Sequence, residues 1–522
     1  MKATTAMERF RPRWLALSVA AALAVTGCSS GNGGNNAPAE SGDSGQAGGT
    51  AGPTEITMFV DATWYPYQDW TGAIPEAITA ATGVRPKISV ATDDKQLALM
   101  VSSGDLPDVI LSPNWELLSD SNLSHPFNEL IPEYAPEMEF DSIKQLINSA
   151  DDGNYYTVRN DFSTEAEWQA SPNAFPITPG LQVRQDVLDE MGNPSIQSLD
   201  DLVGVLQRVK SEYPDMTPLI INPNWTHPFF SAQYGAATSG FVDKDGELVY
   251  YLRQPELMQS FLFINRLYRE GLVTSENFAY KNEMQTQEMM TGGKGFAYTW
   301  TSQGADRLNA AVGDSGLKFS ELAEPLSPDA KIYNSGNGYF GLYVTKSNKK
   351  LAETMKFISY LFSEEGWQTA QWGVEGEHWE MHADGYPVFN YDNNDEKVMK
   401  EMGVYWWGVP TETGVGMSLS AFKPGSETTR VGENYRDIIE YNPALGMVTP
   451  ENDSDEQIIR TNIDNMVRNE VTKIYLAPSE EEAQKAYNEI IAKADNIGMD
   501  KLEAWANSQY SEIQDKYNSM VK

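Results

Sequence analysis

The only cysteine of this 522-residue chain, Cys28, is the residue whose type and position point most directly to a chemical modification. It ends the box Val25-Thr26-Gly27-Cys28, which follows a basic N-terminus and an apolar run at Trp14–Val25. A thiolate can take a diacylglycerol as a thioether, after which the chain is cut before the cysteine. The pattern predicts a lipoprotein signal peptide over residues 1–27. The alternative is a buried, inert cysteine behind an ordinary signal peptide.

The second candidate for chemistry is a pair of imidazoles, His378 and His382, with several glutamates nearby. An i, i+4 spacing places two histidines on one face of a helix, as in zinc proteases. Such helices carry Glu directly after the first His, where this chain has Trp379, and the neighbouring glycines disfavour a helix. Asp392–Asp395 also lacks the glycine and the distal Glu of a calcium loop. We therefore expect no metal and no cofactor.

Motifs for catalysis are otherwise missing from the sequence. Residues 54–522 contain no G-x-S-x-G, no H-E-x-x-H, no phosphate loop and no G-x-G-x-x-G between a strand and a helix. Glycoside hydrolysis needs two carboxylates at a defined separation. Because the chain has 74 acidic residues, such a pair can always be proposed. A secreted, lipid-anchored glycoside hydrolase therefore stays open as an alternative.

Composition divides the chain into a tether and a large body. Residues 28–53 consist mostly of Gly, Ser, Asn and Ala after Cys28. This predicts a flexible linker with an r.m.s. reach of about 25–30 Å. Residues 54–522 are too many for one core, so two or more lobes are expected. The net charge of −36 disfavours nucleic acid as a partner.

Alternating strand and helix patterns must position any ligand-binding loops in this body. Predicted strands at 55–60, 87–90 and 109–111 alternate with helices at 75–82 and 97–101, which indicates a parallel α/β sheet. Ser198 opens a later helix as its N-cap. Further strands are predicted at 294–300 and 339–345, and the C-terminal third is helical.

Five short motifs occur along the chain in a fixed order. They are Ser103–Asp108, Gly180–Leu188, Leu267–Leu272, Gly293–Gly295 and Gly373–Trp379. In this order the chain resembles the extracellular solute-binding lipoproteins (family 1 type) of carbohydrate ABC importers. The branch it resembles most is the long-chain one of Paenibacillus-like bacteria, which includes oligosaccharide and alginate binders.

This resemblance implies an α/β, two-lobe periplasmic-binding-protein-like (type II) fold with a hinge, an interlobe cleft and a helical C-terminal region. It implies lobe one at 54–167 plus 301–362, and lobe two at 168–300 plus 363–522. The chain would cross near Gly180–Arg184 and return at Ala297–Trp300. The implied partners are a small carbohydrate, permease subunits and, through the lipid anchor, the membrane. We expect a monomer at the extracellular face of a Gram-positive cell membrane.

Sugars present apolar C–H faces, which aromatic rings cover, and hydroxyls, which carboxylates, amides and arginine bind. The candidate aromatic residues are Trp64, Tyr65, Trp115, Trp225, Trp300, Trp372, Trp379, Trp406 and Trp407. The candidate polar residues are Asn114, Arg184, Asn337 and Glu375. In the family that the chain resembles, the region that matches Trp372–Trp379 contributes ligand contacts. The resemblance therefore implies a ligand-binding role most directly for Glu375 and Trp379. For any one tryptophan the alternative is a place in the core, and for Arg184 it is a structural ion pair.

The sequence thus predicts a non-enzymatic, membrane-anchored protein that captures a sugar or oligosaccharide for an ABC importer. Besides the glycoside hydrolase, a surface adhesin or sensor that binds carbohydrate without delivering it stays open.

Overall fold

The first of two sheets joins the N-terminal strands with one strand from the middle of the chain. This computed structural model describes residues 52–65, 67–93, 95–280, 283–404, 411, 413–451 and 454–521. Strand β1 (Thr54–Val60) pairs in parallel with β2 (Val84–Val90) and β3 (Val109–Ser112), and β11 (Gly341–Val344) is antiparallel to β3. The predicted parallel arrangement of the first three strands is confirmed.

The second sheet has the order β5-β8-β4-β9. Its strands are β4 (Pro179–Arg184), β5 (Thr217–Ile220), β8 (Gly295–Thr301) and β9 (Phe319–Glu321). β5 and β8 are parallel, so their carboxyl ends lie at one edge of the sheet. β4 is antiparallel to β8, with Pro179 opposite Thr301, so the start of β4 lies at that same edge.

The described residues also form three short strand pairs and 21 α-helices. The pairs are β6 (Phe241–Lys244) with β7 (Glu247–Tyr250), β10 (Ile332–Asn334) with β14 (Ile439–Tyr441), and β12 (Trp379–Met381) with β13 (Pro387–Phe389). The helices are α1 Ala73–Thr82, α2 Gln96–Ser103, α3 Trp115–Leu118, α4 Phe127–Tyr134, α5 Ser142–Asn148, α6 Glu165–Ala170, α7 Gln185–Glu190, α8 Leu199–Glu212, α9 Thr226–Gln233, α10 Pro255–Arg269, α11 Glu283–Thr291, α12 Gly304–Val312, α13 Leu351–Phe362, α14 Glu364–Trp372, α15 Glu396–Met402, α16 Gly414–Ala421, α17 Glu427–Tyr435, α18 Pro443–Gly446, α19 Asp455–Tyr475, α20 Glu480–Ile497 and α21 Met499–Val521.

Helix ends follow the capping signals of the sequence. The Ser198 side chain accepts a hydrogen bond of 3.1 Å from the backbone N–H of Asp201, which satisfies a donor at the start of α8. Helix α1 ends at Gly83, whose φ of +71° is a left-handed conformation that glycine adopts without strain. Local chemistry therefore explains where these elements begin and end.

Two separate apolar cores define two lobes. The core of the first lobe packs both faces of its sheet against helices that include α1, α4 and α13. The core of the second lobe packs its sheet against α8 and α9. Helix α10 packs on α9, and α19 and α20 pack on α10. The expected two-lobe α/β fold with a helical C-terminal region is confirmed.

The lobes take different segments from those that the resemblance implied. The chain does not leave the second lobe at Trp300, because α12 follows and β9 then pairs with β4 in the same sheet. The return comes later, through β10. Conversely, the segment from α14 to Val404 packs into the core of the first lobe, where Met399 and Val404 are buried. Strand pairing and burial, which are non-local, set these boundaries.

The predicted signal peptide, Cys28 and the linker up to residue 51 lie outside the described residues. Within the described part of the chain, no helix is both long enough and apolar enough to cross a membrane.

Candidate ligand-binding cleft

An aromatic platform lies at the carboxyl edge of the first sheet. The loop after β1 brings Trp64 to this edge, and the segment before β11 brings Tyr339. Trp64 is 49% exposed and Tyr339 is 53% exposed, and no other aromatic side chain among the described residues is as exposed. Both rings contact the buried Phe340, with centroid distances of 5.7 Å and 4.6 Å. The platform therefore presents aromatic surface to solvent on a rigid base.

Polar groups border the platform. Asp61 follows β1 and accepts a hydrogen bond of 2.7 Å from Ser112 Oγ, at the end of β3. Burial raises the pKa of Tyr339, and the nearby Asp61 carboxylate raises it further. The phenol of Tyr339 therefore keeps its proton at neutral pH and can donate a hydrogen bond.

Asp161 stands beside Tyr339 in a strained backbone conformation. Its φ of +56° is left-handed, which is rare for a residue other than glycine. The preceding residue, Asn160, accepts a hydrogen bond of 3.1 Å from the backbone N–H of Tyr339. Asp161 is accessible to solvent, yet the surrounding protein raises its pKa to about 6. Strain and a raised pKa in an accessible carboxyl group are features of functional sites.

Trp115 and Arg159 form a second part of this edge. The guanidinium of Arg159 lies 5.0 Å from the centroid of the half-buried Trp115 ring. Arg159 Nε donates a 3.0 Å hydrogen bond to Asn148 Oδ1, and burial lowers the pKa of the guanidinium. The side chain of Asn114 caps α3 by accepting from Leu117 N at 3.3 Å. Arg159 thus fixes the orientation of the Trp115 ring.

The second lobe contributes two tryptophans from the carboxyl edge of its own sheet. Trp225 follows β5 and Trp300 lies near the end of β8, and both pack in one apolar cluster. Trp300 is only 7% exposed, and its Nε1 donates a 3.1 Å hydrogen bond to Glu283. Glu283 also accepts from Asn224 Nδ2 at 3.1 Å. Trp300 is therefore held in the cleft wall by packing and a hydrogen bond, and it exposes little ring surface for stacking.

Arg307 extends this wall along α12. Its guanidinium lies 5.7 Å from the Trp300 ring centroid and donates a 2.8 Å hydrogen bond to Gln303 Oε1. Helix α12 is held at its start by Glu321, which accepts from Ala305 N at 2.8 Å. Because Glu321 is fully buried, its pKa is raised to about 8, so the carboxyl is protonated at neutral pH.

Glu321→Gln should therefore reduce the loss of stability that occurs as the pH rises. Folded protein keeps the Glu321 proton up to about pH 8, whereas the unfolded chain releases it near its ordinary pKa of 4.5. Between these values the wild-type free energy of unfolding falls by up to about 1.4 kcal/mol per pH unit on account of this group. In urea unfolding at pH 5, 6, 7 and 8, the free energy of unfolding of Glu321→Gln should rise relative to that of the wild type as the pH rises. An equal pH dependence of the two free energies would contradict this. Glu324→Gln, at an exposed position, is the control.

A cavity of about 340 Å³ lies between the two lobes. Asp161, Trp168 and Tyr339 line it from the first lobe, and Pro228, Thr238 and Ser239 line it from the second. Further lining comes from β10, β14 and α16, and from Thr178 at the first crossing. Trp168 Nε1 and Thr178 Oγ1 are buried with no hydrogen-bond partner. Buried donors of this kind are costly unless a ligand or water satisfies them.

A smaller cavity adjoins the interlobe cavity along α16. Gln303 and Arg307 line it from the second lobe, and Tyr391 and Asn393 line it from the segment that packs on the first lobe. Met417 on α16 lines both cavities. The two cavities are therefore neighbours, and the wall carrying Arg307 belongs to the same cleft region.

Comparison with known proteins identifies the family of this chain. Residues 73–376, more than half of the chain, match the sequence profile of a family described as "Bacterial extracellular solute-binding protein". This chain is a member of that family. No curated protein sequence matches it.

Solved structures share the fold of this solute-binding protein at low sequence identity. The alginate-binding protein AlgQ2 aligns with a TM-score of 0.66 and 17% identity, over 88% of this chain and 99% of its own. An HMO-binding, ABC-transporter-associated protein from Bifidobacterium longum infantis gives 0.64 and 14%, over 89% and 99%. Streptococcus pneumoniae FusA, in complex with kestose, gives 0.61 and 17%, over 89% and 100%.

Several residues predicted from sequence lie at the cleft edges, and others do not. Trp64, Asn114, Trp115, Trp225 and Trp300 follow or end strands at the two edges described above. Tyr65, next to Trp64, is only 4% exposed and packs in the core of the first lobe, so its predicted place on the cleft surface is wrong. Arg184 lies at the opposite end of β4 and forms a bidentate ion pair with Asp186 at 2.7 and 2.5 Å. Asn337 is buried on the return crossing, with neither side-chain polar atom bonded. Trp406 and Trp407 lie outside the described residues.

Trp372 and Trp379 form a packed cluster in the segment that joins the first lobe. Their rings contact edge to face at 5.0 Å, and Trp379 Nε1 donates a 2.7 Å hydrogen bond to the carbonyl of Gly373. Trp379 is 3% exposed, while Glu375 is exposed on the turn. This geometry favours the core role that the sequence left open as the alternative for each tryptophan.

Trp379→Ala should accordingly lower stability and leave ligand affinity unchanged. Removing a buried tryptophan costs about 3–5 kcal/mol of unfolding free energy. Chemical unfolding measures this cost, and calorimetry on the folded fraction measures affinity. An affinity loss of about tenfold or more (about 1.4 kcal/mol) would instead assign Trp379 to the cleft, as the resemblance implied.

The histidine pair lies on a hairpin and not on a helix. His378 Nδ1 accepts a 3.0 Å hydrogen bond from Val374 N, while His382 stacks on Tyr386 at 4.5 Å, beyond β12. Among the described residues, no group of three or more His, Cys, Asp or Glu could hold a metal ion.

Sequence reasoning missed Tyr339, Asp161, Arg159 and Arg307. The sequence around Tyr339 predicts only the start of a strand, and single charged residues carry no pattern that singles them out. The one usable local signal is Gly338, which precedes Tyr339 with a φ of +94°. A Cβ there would lie 2.5 Å from Arg159 Cβ and Asn160 O, so only glycine permits this close crossing.

Proposed function

We propose that this solute-binding protein captures an oligosaccharide between its lobes and delivers it, chemically unchanged, to an ABC importer. One observation carries the proposal. The two most exposed aromatic rings of the described structure share Phe340 as a base, and one of them, Tyr339, lines the interlobe cavity. Exposed aromatic surface on a rigid base suits the apolar C–H faces of a sugar.

The polar groups around the cleft suit the hydroxyl rim of a sugar. Asp61 and Asp161 offer acceptors from the first lobe, while Asn224 and Arg307 belong to the second. A ligand that contacts both lobes favours the closed arrangement, because it gains both sets of contacts at once. The fold's crossing strands, β10 and β14, are the natural hinge for this motion.

The names of the structural neighbours support a carbohydrate ligand. They are described as binding alginate, HMO and, in a complex, kestose. These ligands differ in charge and linkage, so they support the class of ligand and not one sugar.

Lipid attachment at Cys28 completes the proposal. The box Val25–Cys28 and the Gly/Ser/Asn-rich residues up to Pro53 support an acylated, tethered receptor at the outer face of a Gram-positive membrane. The protein would bind as a monomer and hand its cargo to the permease from a short distance.

Calorimetry against an oligosaccharide panel, with chromatography of each sugar after incubation, tests the proposal. The panel contains malto-, cello- and fructo-oligosaccharides together with alginate oligosaccharides. We expect binding heat for at least one series and unchanged sugar on the chromatogram. Turnover of any glycan would show an enzyme and overturn the proposal.

A further inference from the structure

The second lobe contains a cavity of about 540 Å³ that the proposed function does not use. We name it the α19 cavity, because one face of that helix forms its longest wall. It lies at the carboxyl end of β5, between α9, α10, α19 and the turn Ser275–Ala279. Its lining includes His227, Phe278, Tyr280, Asp464, Thr472 and Tyr475.

Aromatic rings dominate one side of the α19 cavity. Phe278 stacks on Tyr475 with a centroid distance of 5.4 Å and an interplanar angle of 25°. Phe278 and Tyr280 are half-buried, so part of each ring is accessible. Ring faces accessible in a concave site suit the same C–H surfaces as the platform in the first lobe.

The polar groups of the α19 cavity are mostly neutral or already engaged. His227 packs on Phe261 at 4.7 Å, and burial lowers its pKa to about 4, so its imidazole is uncharged at neutral pH. Asp464 Oδ1 accepts a 2.9 Å hydrogen bond from Tyr250. Arg468 is exposed at the rim. The amides of Asn222 and Asn277 and the hydroxyl of Thr226 bond within the protein. His227 Nε2 is buried with no hydrogen-bond partner, and it suits a sugar hydroxyl better than a strongly charged group would.

The α19 cavity adjoins the interlobe cavity. Thr238 and Ser239, in the segment between α9 and β6, line both. Each cavity is within the range of ligand sites, about 300–1,000 Å³. Adjacent aromatic-lined cavities of this size provide more room than a disaccharide occupies.

We propose that the α19 cavity binds the distal sugar units of the same oligosaccharide whose proximal units lie on the Trp64–Tyr339 platform. The ligand is then a neutral chain longer than a disaccharide. This inference rests on the proposed function, since it assigns a second subsite to the same ligand.

Length-graded ligands test the second subsite. Malto-, cello- and fructo-oligosaccharides of two to six units are titrated into the wild type by calorimetry. We expect the affinity to rise by about tenfold or more between the shortest and longest members of the series that binds. Thr472→Trp, which fills the cavity, and Tyr280→Ala, which removes a ring, should abolish this gain. Both should leave the affinity for the shortest member within about twofold, which is below 0.5 kcal/mol.

Matched controls distinguish a loss of binding at the second subsite from a general loss of folded structure. Asn469→Trp adds the same side chain to an exposed position of α19 and should keep the gain. Arg468→Ala, at the exposed rim, replaces Tyr280→Ala if that variant does not fold. A flat length dependence in the wild type, or equal losses for short and long members in Thr472→Trp, would overturn this inference alone. Binding of alginate oligosaccharides alone would overturn the neutral ligand and with it this inference, whereas binding of no member of the full panel would count against the proposed function itself.

Discussion

Replacing Trp64 with Ala should weaken oligosaccharide binding by about 10- to 100-fold, and replacing Tyr339 with Ala should do the same. Aromatic anchors at the centre of a binding site contribute about 2 kcal/mol or more, and each 1.4 kcal/mol is tenfold in affinity. The two losses should not simply add, because both rings contact Phe340 and share one ligand surface. Calorimetry with the best ligand of the panel measures the effect.

The exposure of these rings makes the result interpretable. Truncating an exposed side chain changes the free energy of unfolding by only about 0.5 kcal/mol, so a large affinity loss cannot come from unfolding. Tyr339→Phe keeps the ring and removes the hydroxyl, which separates stacking from hydrogen bonding. Met381→Ala removes a similarly exposed side chain from the β12–β13 hairpin and should bind normally. Unchanged affinity in both platform variants would place the ligand elsewhere.

Cys28→Ser should abolish uptake of the same oligosaccharide while leaving its affinity in solution unchanged. Serine cannot form the thioether, so the protein would leave the membrane fraction and enter the medium. A tether of about 25 residues keeps the receptor at a high effective concentration near its permease, and release removes that advantage. Cell fractionation and uptake of labelled sugar measure the two effects.

Calorimetry on the secreted variant completes that experiment. The affinity should match the wild type, because Cys28 precedes the folded body by more than twenty residues. Ser29→Ala, next to the modified residue, should keep both anchoring and uptake. Retention of Cys28→Ser at the membrane, or a fall in its affinity, would contradict lipid anchoring as the role of this residue.

The local elements of this fold could be predicted from sequence because their signals are local. The α/β alternation of the N-terminal third, the Ser198 cap and the stop at Gly83 all occur in the structure. The rule that loops follow the carboxyl ends of parallel strands also agrees with the position of Trp64, which follows the predicted strand 55–60 and lies at a sheet edge. These inferences need only periodicity, capping chemistry and the geometry of parallel sheets.

The lobe boundaries could not be derived in the same way. Whether β9 pairs with β4, or Met399 enters the first core, depends on contacts between residues far apart in sequence. The same limit applies to the tryptophans. The sequence predicts a ligand-binding role for both Trp64 and Trp379. In the structure Trp64 is half exposed, whereas Trp379 is buried against the Trp372 ring and hydrogen-bonded to the Gly373 carbonyl.

The sequence by itself determined the family, the two-lobe class and the expectation of a lipid-modified Cys28, because motif order and a cleavage box are properties of the chain. Only the tertiary structure decided which side chains form the cleft. Tyr339 and Asp161 become candidates only in the structure, because Gly338 allows the segment before β11 to pack closely against Arg159 and Asn160. Exposure, strain and a shifted pKa arise from that packing, since each depends on what surrounds a residue in space.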